Sequence, residues 1–320
     1  MKRIGLLTSG GDSPGMNACI RAVVRGCLYY GMEVYGIHQG YEGLINDEFE
    51  PMKTSSVADI IHRGGTILQT ARSTDFMADE GMMKGYENLR MHGIEALVVI
   101  GGDGTLTGGE KLHRMTRMPV FGLPGTIDND LAYTDFTIGF DTAVNTVLSA
   151  IGNIRDTSSS HGRTTIIEVM GRHCGDIALH AGLAGGAETI LIPERGFEVE
   201  DIAKKLLAGK ERGKLHSIII KAEGVEMDSN VLAKQLADMI DCETKVVVLG
   251  YIQRGGSPTA RDRILASRTG VRCVELIREG VSNAAIGIKG DTIVDYPLAV
   301  ALAMEKNTHL DYQRICDILL

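Results

Sequence analysis

The 320-residue sequence has little proline, little cysteine and no long apolar run. Its seven prolines stand beside forty glycines without a G-X-Y period, so a collagen-like chain is excluded. The longest continuous apolar stretch has seven residues, at 298–304, and other runs are shorter, as at 96–100. A bilayer-spanning helix needs roughly 20 such residues. These shortages exclude the fibrous class and predict no membrane-spanning segment.

Cysteine and positive charge are also scarce. The six cysteines are scattered without a C-x-x-C pair, so we expect reduced packing thiols rather than a disulfide framework or a zinc site. Lys and Arg number 33 against 41 Asp and Glu, a net charge of −8. An acidic chain argues against nucleic acid as principal partner, because binding to the phosphate backbone needs a basic face. The N-terminus shows no signal-peptide pattern, and a cytoplasmic location is expected.

Apolar runs alternate with helix-like segments along the whole chain, which has 44% apolar residues and a length suited to two domains. Strands are predicted at 3–8, 34–38, 96–100, 120–123, 165–169, 189–192, 217–222 and 245–249, with a hairpin over 285–294. Helices are predicted at 16–30, from Ser55 and Ser56 to near Gly64, and at 81–91, 106–115, 141–155 and 259–280, with a polar segment at 156–161. This alternation predicts an α/β fold of two doubly wound domains with mainly parallel sheets.

Glycine-rich polar loops follow three of the predicted strands, where ligands bind in open α/β sheets. The loop 9–15 offers N–H groups to an anion at a helix N-terminus, or is simply a structural turn. In 101–105, Asp103 can hold Mg²⁺ while the glycines admit phosphate oxygens, or it caps the next helix. In 124–130, Asp128 and Asp130 suit a general base beside a second carboxylate, or an Asx-rich turn.

Fixed positive charges stand at strand ends in the second half of the chain. Arg163, Arg172 and Arg254 adjoin glycines, and Lys245 opens a strand. Guanidinium groups match the geometry of phosphate, although any one of them can equally be solvated or ion-paired. The first half therefore suits a nucleotide with its metal, and the second half suits a phosphorylated acceptor. Together they predict phosphoryl transfer in a cleft between the domains.

Five segments closely resemble the bacterial 6-phosphofructokinases: 7–17, 100–105, 124–130, 168–172 and 253–258. The runs Pro-Gly-Thr-Ile-Asp-Asn-Asp and Gln-Arg-Gly-Gly-Ser-Pro are highly specific, and the resemblance extends through nearly the whole chain. It implies transfer of the γ-phosphoryl group of MgATP to the 1-hydroxyl of fructose 6-phosphate, the committed step of glycolysis, in a homotetramer regulated by ADP and phosphoenolpyruvate. It also implies an ATP-binding domain over 1–138 plus about 256–303, and a fructose 6-phosphate-binding domain over 139–255 plus about 304–320.

The resemblance assigns roles to individual residues. Asp128 looks like the base that accepts the 1-hydroxyl proton, Thr126 and Asp130 lie beside it, and Arg172 resembles the arginine that stabilises the transferring group. Asp103 resembles the carboxylate of the Mg²⁺ site. The ATP-binding segments match Gly11, Tyr41, Arg72, Ser73, Gly102, Asp103, Gly104 and Thr105. The sugar-phosphate segments match Thr126, Ile127, Asp128, Arg163, Met170, Gly171, Arg172, Glu223, Lys245, Tyr251, Ile252, Gln253 and Arg254, with Arg163 and Lys245 expected from a neighbouring subunit.

The family's effector site is implied at a second subunit interface, by Arg21, Arg25, Arg155, Gly186, Ala187, Glu188, Arg212 and Lys214. The chain departs from the family pattern at several cations. Lys245 and Tyr251 stand where the family usually has Arg and His, so weaker binding of fructose 6-phosphate is expected. Leu215 and Thr54 each stand where relatives carry a cation, so blunted allosteric control is expected.

The phosphoryl donor is indicated by Gly104 and Gly125, where pyrophosphate-using relatives commonly carry Asp and Lys. Two glycines favour ATP, because larger side chains would crowd the α-phosphate. The main alternative is a related kinase that uses pyrophosphate or a different sugar phosphate. A silent nucleotide-binding subunit is disfavoured because Asp103, Asp128 and Arg172 are all present. A periplasmic sugar-binding protein is disfavoured by the missing signal peptide.

Overall fold

The computed structural model describes residues 1–319. Its strands are β1 (Arg3–Thr8), β2 (Glu33–Ile37), β3 (Phe49–Met52), β4 (Ala96–Gly101), β5 (Val120–Thr126), β6 (Ile138–Gly139), β7 (Thr164–Val169), β8 (Thr189–Leu191), β9 (Ser217–Ala222), β10 (Thr244–Val248), β11 (Asn283–Lys289) and β12 (Thr292–Tyr296). Its α-helices are α1 (Met16–Tyr29), α2 (Gly40–Ile45), α3 (Asp79–Met91), α4 (Asp103–Thr116), α5 (Phe140–His161), α6 (Asp176–Gly185), α7 (Val199–Glu211), α8 (Ser229–Ile240), α9 (Ala260–Glu279), α10 (Leu298–Leu302) and α11 (Asp311–Leu319). The predicted α/β class with mainly parallel sheets is confirmed.

The chain divides into two compact units. Unit 1 contains Met1–Ile127, Leu131–Thr142 and Arg254–Lys306. Unit 2 contains Asp128–Asp130, Ala143–Gln253 and the segment that begins at Asn307. The peptide that follows β5 therefore passes from one unit to the other within the predicted catalytic loop.

Unit 1 is built on an eight-stranded sheet in which β6 pairs with β5 and the remaining strands follow the order β12-β11-β5-β4-β1-β2-β3. The pairs β2–β3 and β11–β12 are antiparallel, and the other pairs are parallel. Apolar residues of β4 alternate between two cores: Val98 and Ile100 join the core that contains α1 and α9, whereas Leu97 and Val99 join the core with α3 and α4. A continuous apolar run therefore suits a strand covered by helices on both faces.

Unit 2 is built on a four-stranded parallel sheet in the order β10-β7-β9-β8. The central strand β9 is buried throughout, whereas the edge strand β10 has no fully buried residue. Because β7, β9 and β10 run in the same direction, Met170, Glu223 and Gly250 follow their carboxyl ends, and Arg163 precedes the amino end of β7.

Three predicted elements differ in the structure. The helix predicted after Ser55 and Ser56 is a single 3-10 turn, Thr54–Val57, since Ser, Thr and Val favour α-helix weakly. The polar segment 156–161 continues α5 instead of ending it, and Ser158 is buried there with a hydrogen bond to Thr165. Helix α4 begins at Asp103, three residues before the prediction, which places this carboxylate in the first turn.

Among the helices of residues 1–319, none has the length and apolar character that a membrane-spanning segment requires. The six cysteines are free thiols. Burial raises the pKa of Cys19 above its usual range and that of Cys27 to about 12, as expected of thiols inside a core.

Candidate active site

The loops after β1 and β4 are joined by Thr105, at the start of α4. Its hydroxyl donates to the main-chain oxygen of Ser9 at 2.9 Å. A Cβ on Gly101 would lie 2.5 Å from that same oxygen, so glycine permits the close approach of the two strand ends. Thr70 donates to the carbonyl of Gly10, whose φ of +85° also favours glycine. The predicted nucleotide loops are therefore shaped by main chain.

Asp103 is exposed at the first turn of α4. The N-cap position belongs to Gly102, and the helix has no side-chain cap, so Asp103 does not cap it. Within residues 1–319, its carboxylate takes part in no hydrogen bond or ion pair. That part of the chain also contains no cluster of three metal-ligating side chains. One carboxylate beside the predicted phosphate-binding loop fits Mg²⁺, which typically takes one or two carboxylates plus phosphates and waters.

The two glycines that indicate the donor have different surroundings. A Cβ on Gly104 would meet no atom of the described residues within 4 Å, and Gly104 has no positive φ. A Cβ on Gly125 would lie 2.8 Å from Cγ2 of Ile100. Packing therefore explains the glycine at 125, whereas neither packing nor φ within residues 1–319 requires one at 104. Only Gly104 retains its value as a sign of the ligand.

Tyr41 is buried, with 5% of its surface exposed. Its ring stacks on Phe76 at a centroid distance of 4.0 Å, and its hydroxyl donates to the carbonyl of Thr105 at 2.6 Å. Burial raises the pKa of Tyr41 above its usual value, so the hydroxyl stays protonated as a donor. Ser73 accepts from the N–H of Phe76, and Arg72 is exposed beside it. Tyr41 therefore supports the start of α4 through Thr105, and Phe76 packs against the Tyr41 ring.

Arg254 belongs to unit 1 and lies over Gly11, where a Cβ would come within 3.3 Å of its Cζ. Sequence reasoning assigns this arginine to the sugar phosphate. The structure places its guanidinium beside the first glycine-rich loop, whereas the neighbouring Gln253 belongs to unit 2.

Asp128 and Arg172 form an ion pair within unit 2, with 3.7 Å between Oδ2 and Nε. Only 7% of Asp128 is exposed, and the arginine side chain is 56% exposed. Arg172 has a φ of +53°, a left-handed conformation uncommon for residues other than glycine. An exposed cation therefore lies beside a buried carboxylate.

The segment 170–172 is fixed by two side chains from other strand ends. Glu223 accepts hydrogen bonds at Oε1 from the N–H groups of Gly171 and Arg172, at 3.2 and 2.9 Å. Gln253 is fully buried, accepts from the N–H of Met170 at 3.1 Å and donates to the carbonyl of Gly250. Gln253 thus joins two loops, while its neighbours Tyr251 and Ile252 are exposed.

Arg163 and Lys245 share one counter-ion, Glu243. Lys245 Nζ lies 2.7 Å from Glu243 Oε1, and Arg163 Nη1 lies 3.7 Å from Oε2. Lys245 and, to a smaller degree, Arg163 lower the pKa of the Glu243 carboxyl. Sequence reasoning missed this glutamate, although its position two residues before Lys245 on an extended strand could have indicated it, since both side chains then lie on one face.

The predicted effector residues fall into two groups. In unit 2, Arg155 donates to the carbonyls of Gly185 and Gly186, and Lys214 lies 2.5 Å from Oε1 of the buried Glu188. Ala187 is buried beside them, and Arg212 follows the end of α7. In unit 1, Arg21 and Arg25 are four residues apart on α1 and so lie on one face of the helix.

Residues 3–277 match the family described as phosphofructokinase. The chain belongs to the phosphofructokinase family. It is 58% identical over 306 residues to a Clostridioides difficile (strain 630) protein named ATP-dependent 6-phosphofructokinase, covering 96% of this chain and 95% of the relative. It is 57% identical over 319 residues to a protein of that name from Alkaliphilus metalliredigens (strain QYMF), covering 100% of this chain and 99% of the relative.

A solved structure of phosphofructokinase from Saccharomyces cerevisiae superposes with a TM-score of 0.88 at 36% identity. The match covers 94% of this chain but 45% of the yeast chain, so this protein spans less than half of that larger relative. The predicted family is thereby confirmed by both sequence and fold.

Proposed function

We propose that this chain is an ATP-dependent 6-phosphofructokinase. It transfers the γ-phosphoryl group of ATP to the 1-hydroxyl of fructose 6-phosphate and yields fructose 1,6-bisphosphate and ADP. The observation that carries the proposal is the pair of Asp128 and Arg172, a buried carboxylate 3.7 Å from an exposed guanidinium. Relatives with this activity in their names, at 57–58% identity over nearly their full length, support the same reaction.

The chemistry follows from these two side chains. Asp128 accepts the proton of the sugar 1-hydroxyl while the hydroxyl oxygen bonds to the γ-phosphorus. The bond between the γ-phosphorus and the β–γ bridging oxygen breaks, which releases ADP. Arg172 is long and exposed enough to turn from Asp128 to the transferring group and to stabilise its charge. Glu223 holds the main chain of Arg172, so the guanidinium moves while its anchor stays fixed.

The nucleotide is assigned to the loops of unit 1, where Gly10, Gly101 and Thr105 leave main-chain N–H groups near a helix N-terminus. Open space at Gly104 supports a nucleotide rather than pyrophosphate. Asp103 would hold Mg²⁺ together with the phosphates. When bound, the ion would neutralise phosphate charge and orient the γ-phosphoryl group. Arg254, over Gly11, adds a fixed positive charge to the same loops.

Arg163 and Lys245 are proposed to bind the 6-phosphate of a substrate held by a neighbouring copy in a homotetramer. They lie at the amino ends of β7 and β10, whereas Arg172 follows the carboxyl end of β7. Six strand residues separate these ends by roughly 20 Å, too far for one sugar phosphate within a single copy. The edge strand β10, with Val248 at 62% exposure, offers a face that a second copy can cover.

The effector site for ADP and phosphoenolpyruvate is proposed around Arg155 and Lys214 in unit 2, with Arg21 and Arg25 supplied by another copy. The ion pair between Lys214 and Glu188 neutralises one of the cations there. With Leu215 in place of a further cation, this supports a site that binds anions weakly.

The deciding experiment is a coupled assay of the purified chain with fructose 6-phosphate and Mg²⁺, with ATP or pyrophosphate as donor. We expect product with ATP and at least 100-fold less with pyrophosphate. Pyrophosphate as the better donor would support the alternative kinase. No product with either donor would overturn the proposed reaction.

A further inference from the structure

A buried carboxylate outside the predicted site lies against the loop that carries Asp128. Asp176 is the first residue of α6 and has no exposed surface. Its Oδ2 accepts a hydrogen bond of 2.7 Å from Nδ2 of Asn129, which is itself only 1% exposed. Both residues belong to unit 2, and they lie 47 positions apart in sequence.

Asn129 needs such a partner because of its backbone. Its φ of +54° lies in the left-handed region, which asparagine enters more readily than most residues but which still requires support from the surrounding structure. Asn129 also separates Asp128 from Asp130 in the sequence. A side-chain bond to a fixed acceptor holds the middle residue, and thereby sets the direction in which Asp128 points.

The acceptor is well suited to a buried position. Asp176 stands in the first turn of α6, whose N-cap Gly175 provides no side-chain cap. The positive end of the helix dipole favours a carboxylate in that turn. A hydrogen bond to a charged acceptor is also stronger and shorter than one between neutral groups. Asp176 is therefore a rigidly held acceptor for the hydrogen bond from Asn129 in the loop that carries Asp128.

The segment 172–176, which contains Asp176, also contains Arg172, the ion-pair partner of Asp128. Between residues 172 and 176, Arg172 pairs with Asp128, the Cys174 thiol lies 3.9 Å from the carbonyl oxygen of Asn129, and Asp176 binds the Asn129 amide. We propose that Asp176 is a positioning residue that, through Asn129, sets the geometry between Asp128 and Arg172. This inference rests on the proposed function, since it assigns Asp128 the role of base.

A double-mutant cycle with Asp176→Asn and Asn129→Gly tests the proposal. Glycine adopts the left-handed φ freely, so Asn129→Gly removes the hydrogen bond without adding backbone strain. We expect each single variant to lower kcat about 10- to 100-fold, because small displacements of reacting groups cost that much. The KM for ATP is expected to change less than twofold, because the nucleotide loops lie in unit 1. The double variant is expected to be no slower than the slower single one, since both changes act on the same hydrogen bond: Asp176→Asn removes the charge of its acceptor and Asn129→Gly removes its donor.

A matched control is Asn88→Ala, which removes buried amide hydrogen bonds to the carbonyls of Leu44 and Ile45 in unit 1. It is expected to lower the unfolding temperature as much as Asp176→Asn but to leave kcat unchanged. If both Asp176→Asn and Asn129→Gly unfold at lower temperature with kcat within twofold of the active parent chain, the positioning role is overturned while the proposed reaction stands. Effects on kcat that multiply in the double variant would overturn it as well.

Hydrogen exchange keeps the inference testable if the parent chain shows no kinase activity. We expect amides 127–131 to exchange at least tenfold faster in both single variants, with exchange in β9 unchanged. Unaltered exchange at 127–131 would show that the Asp176–Asn129 bond does not hold the loop, and would overturn the inference independently of the reaction.

Discussion

The loops of unit 1 and those of unit 2 prepare for anionic ligands by different means. In unit 1, the main chain at Gly10 and Gly101 shapes the site, and the carboxylate of Asp103 engages no group within residues 1–319. In unit 2, charged side chains are already paired, as in Asp128 with Arg172 and Glu243 with Lys245. A ligand entering unit 1 meets open space and N–H groups, whereas one entering unit 2 must replace existing ion pairs.

This difference predicts opposite sensitivities. Larger side chains in the glycine-rich loops of unit 1 should weaken ligand binding, because binding there depends on space beside the main chain. Removed or exchanged charges should alter unit 2, because Arg163, Arg172 and Lys245 each have a carboxylate partner in the protein that competes with the substrate for the cation.

The largest effect is expected where unit 2 loses its base. Asp128→Ser removes the proton acceptor and leaves Arg172 without its partner. General-base catalysis contributes about 10²- to 10⁴-fold, so kcat should fall by that factor in the coupled assay. Asp201→Ser, on the exposed start of α7, is a control that should retain full activity. A kcat within threefold of the parent chain would remove Asp128 from the role of base.

The second effect concerns a buried carboxylate of unit 1 whose role is structural. Asp262 accepts hydrogen bonds from the N–H groups of Gly139 and Thr142 and from the Thr142 hydroxyl, and so caps the start of α5. Burial raises the pKa of Asp262 to about 6, because its effect is larger than that of the hydrogen bonds from Thr142 and Gly139, which lower the pKa. A raised carboxyl pKa means that the folded state binds the proton more tightly than the unfolded state does. Protonation of Asp262 therefore stabilises the fold in full below about pH 4, and this stabilisation is lost as pH rises through 6.

We therefore expect Asp262→Asn to destabilise the chain by about 1–3 kcal/mol at low pH, because an amide cannot accept all three bonds. The stability advantage of the parent over this variant should shrink by up to about 3 kcal/mol between pH 4 and 7. Chemical unfolding at fixed protein concentration across that range measures both quantities. Asp291→Asn, at a side chain 98% exposed, is the control with no such slope. An advantage that grows with pH would refute the assignment.

The framework of both units could be predicted from sequence because its signals are local. A continuous apolar run such as 96–100 specifies a strand covered on both faces, and glycines at its end mark the turn into α4. The family motifs identify the loops 101–105 and 124–130, which follow the carboxyl ends of the neighbouring parallel strands β4 and β5. These strand predictions required no knowledge of side-chain contacts.

The partners of the charged residues could not be predicted in this way. Asp176 reaches Asn129 across 47 positions, and Glu223 reaches Arg172 across 51, through packing that no local pattern records. The donor signal shows the same limit, since Gly104 and Gly125 look alike in sequence. Only the structure reveals that Ile100 blocks a side chain at position 125.

Gly104→Asp sharpens the comparison from the side of unit 1. The Cβ of the new side chain would meet no atom of residues 1–319 within 4 Å, and an acidic residue in the first turn of α4 should stabilise the helix slightly. Repulsion of the nucleotide phosphates should nevertheless lower kcat/KM for ATP about 10- to 100-fold. Stability and activity would then change in opposite directions. Gly196→Asp, another open position outside these loops, should change neither. Unchanged use of ATP would show that the space at Gly104 is not a ligand site.

The smallest effect tests the internal competitor in unit 2. Glu243→Gln removes the charge that Arg163 and Lys245 share, so both cations become available to the 6-phosphate. Because exposed ion pairs are weak, KM for fructose 6-phosphate should fall only about two- to fourfold, with the KM for ATP unchanged. Lys245→Arg should also tighten binding, because a guanidinium can hold phosphate through two hydrogen bonds. Asp241→Asn, on the loop before β10, is the control of equal charge change. If Glu243→Gln raises KM instead, the glutamate orients these cations for the substrate and does not compete with it.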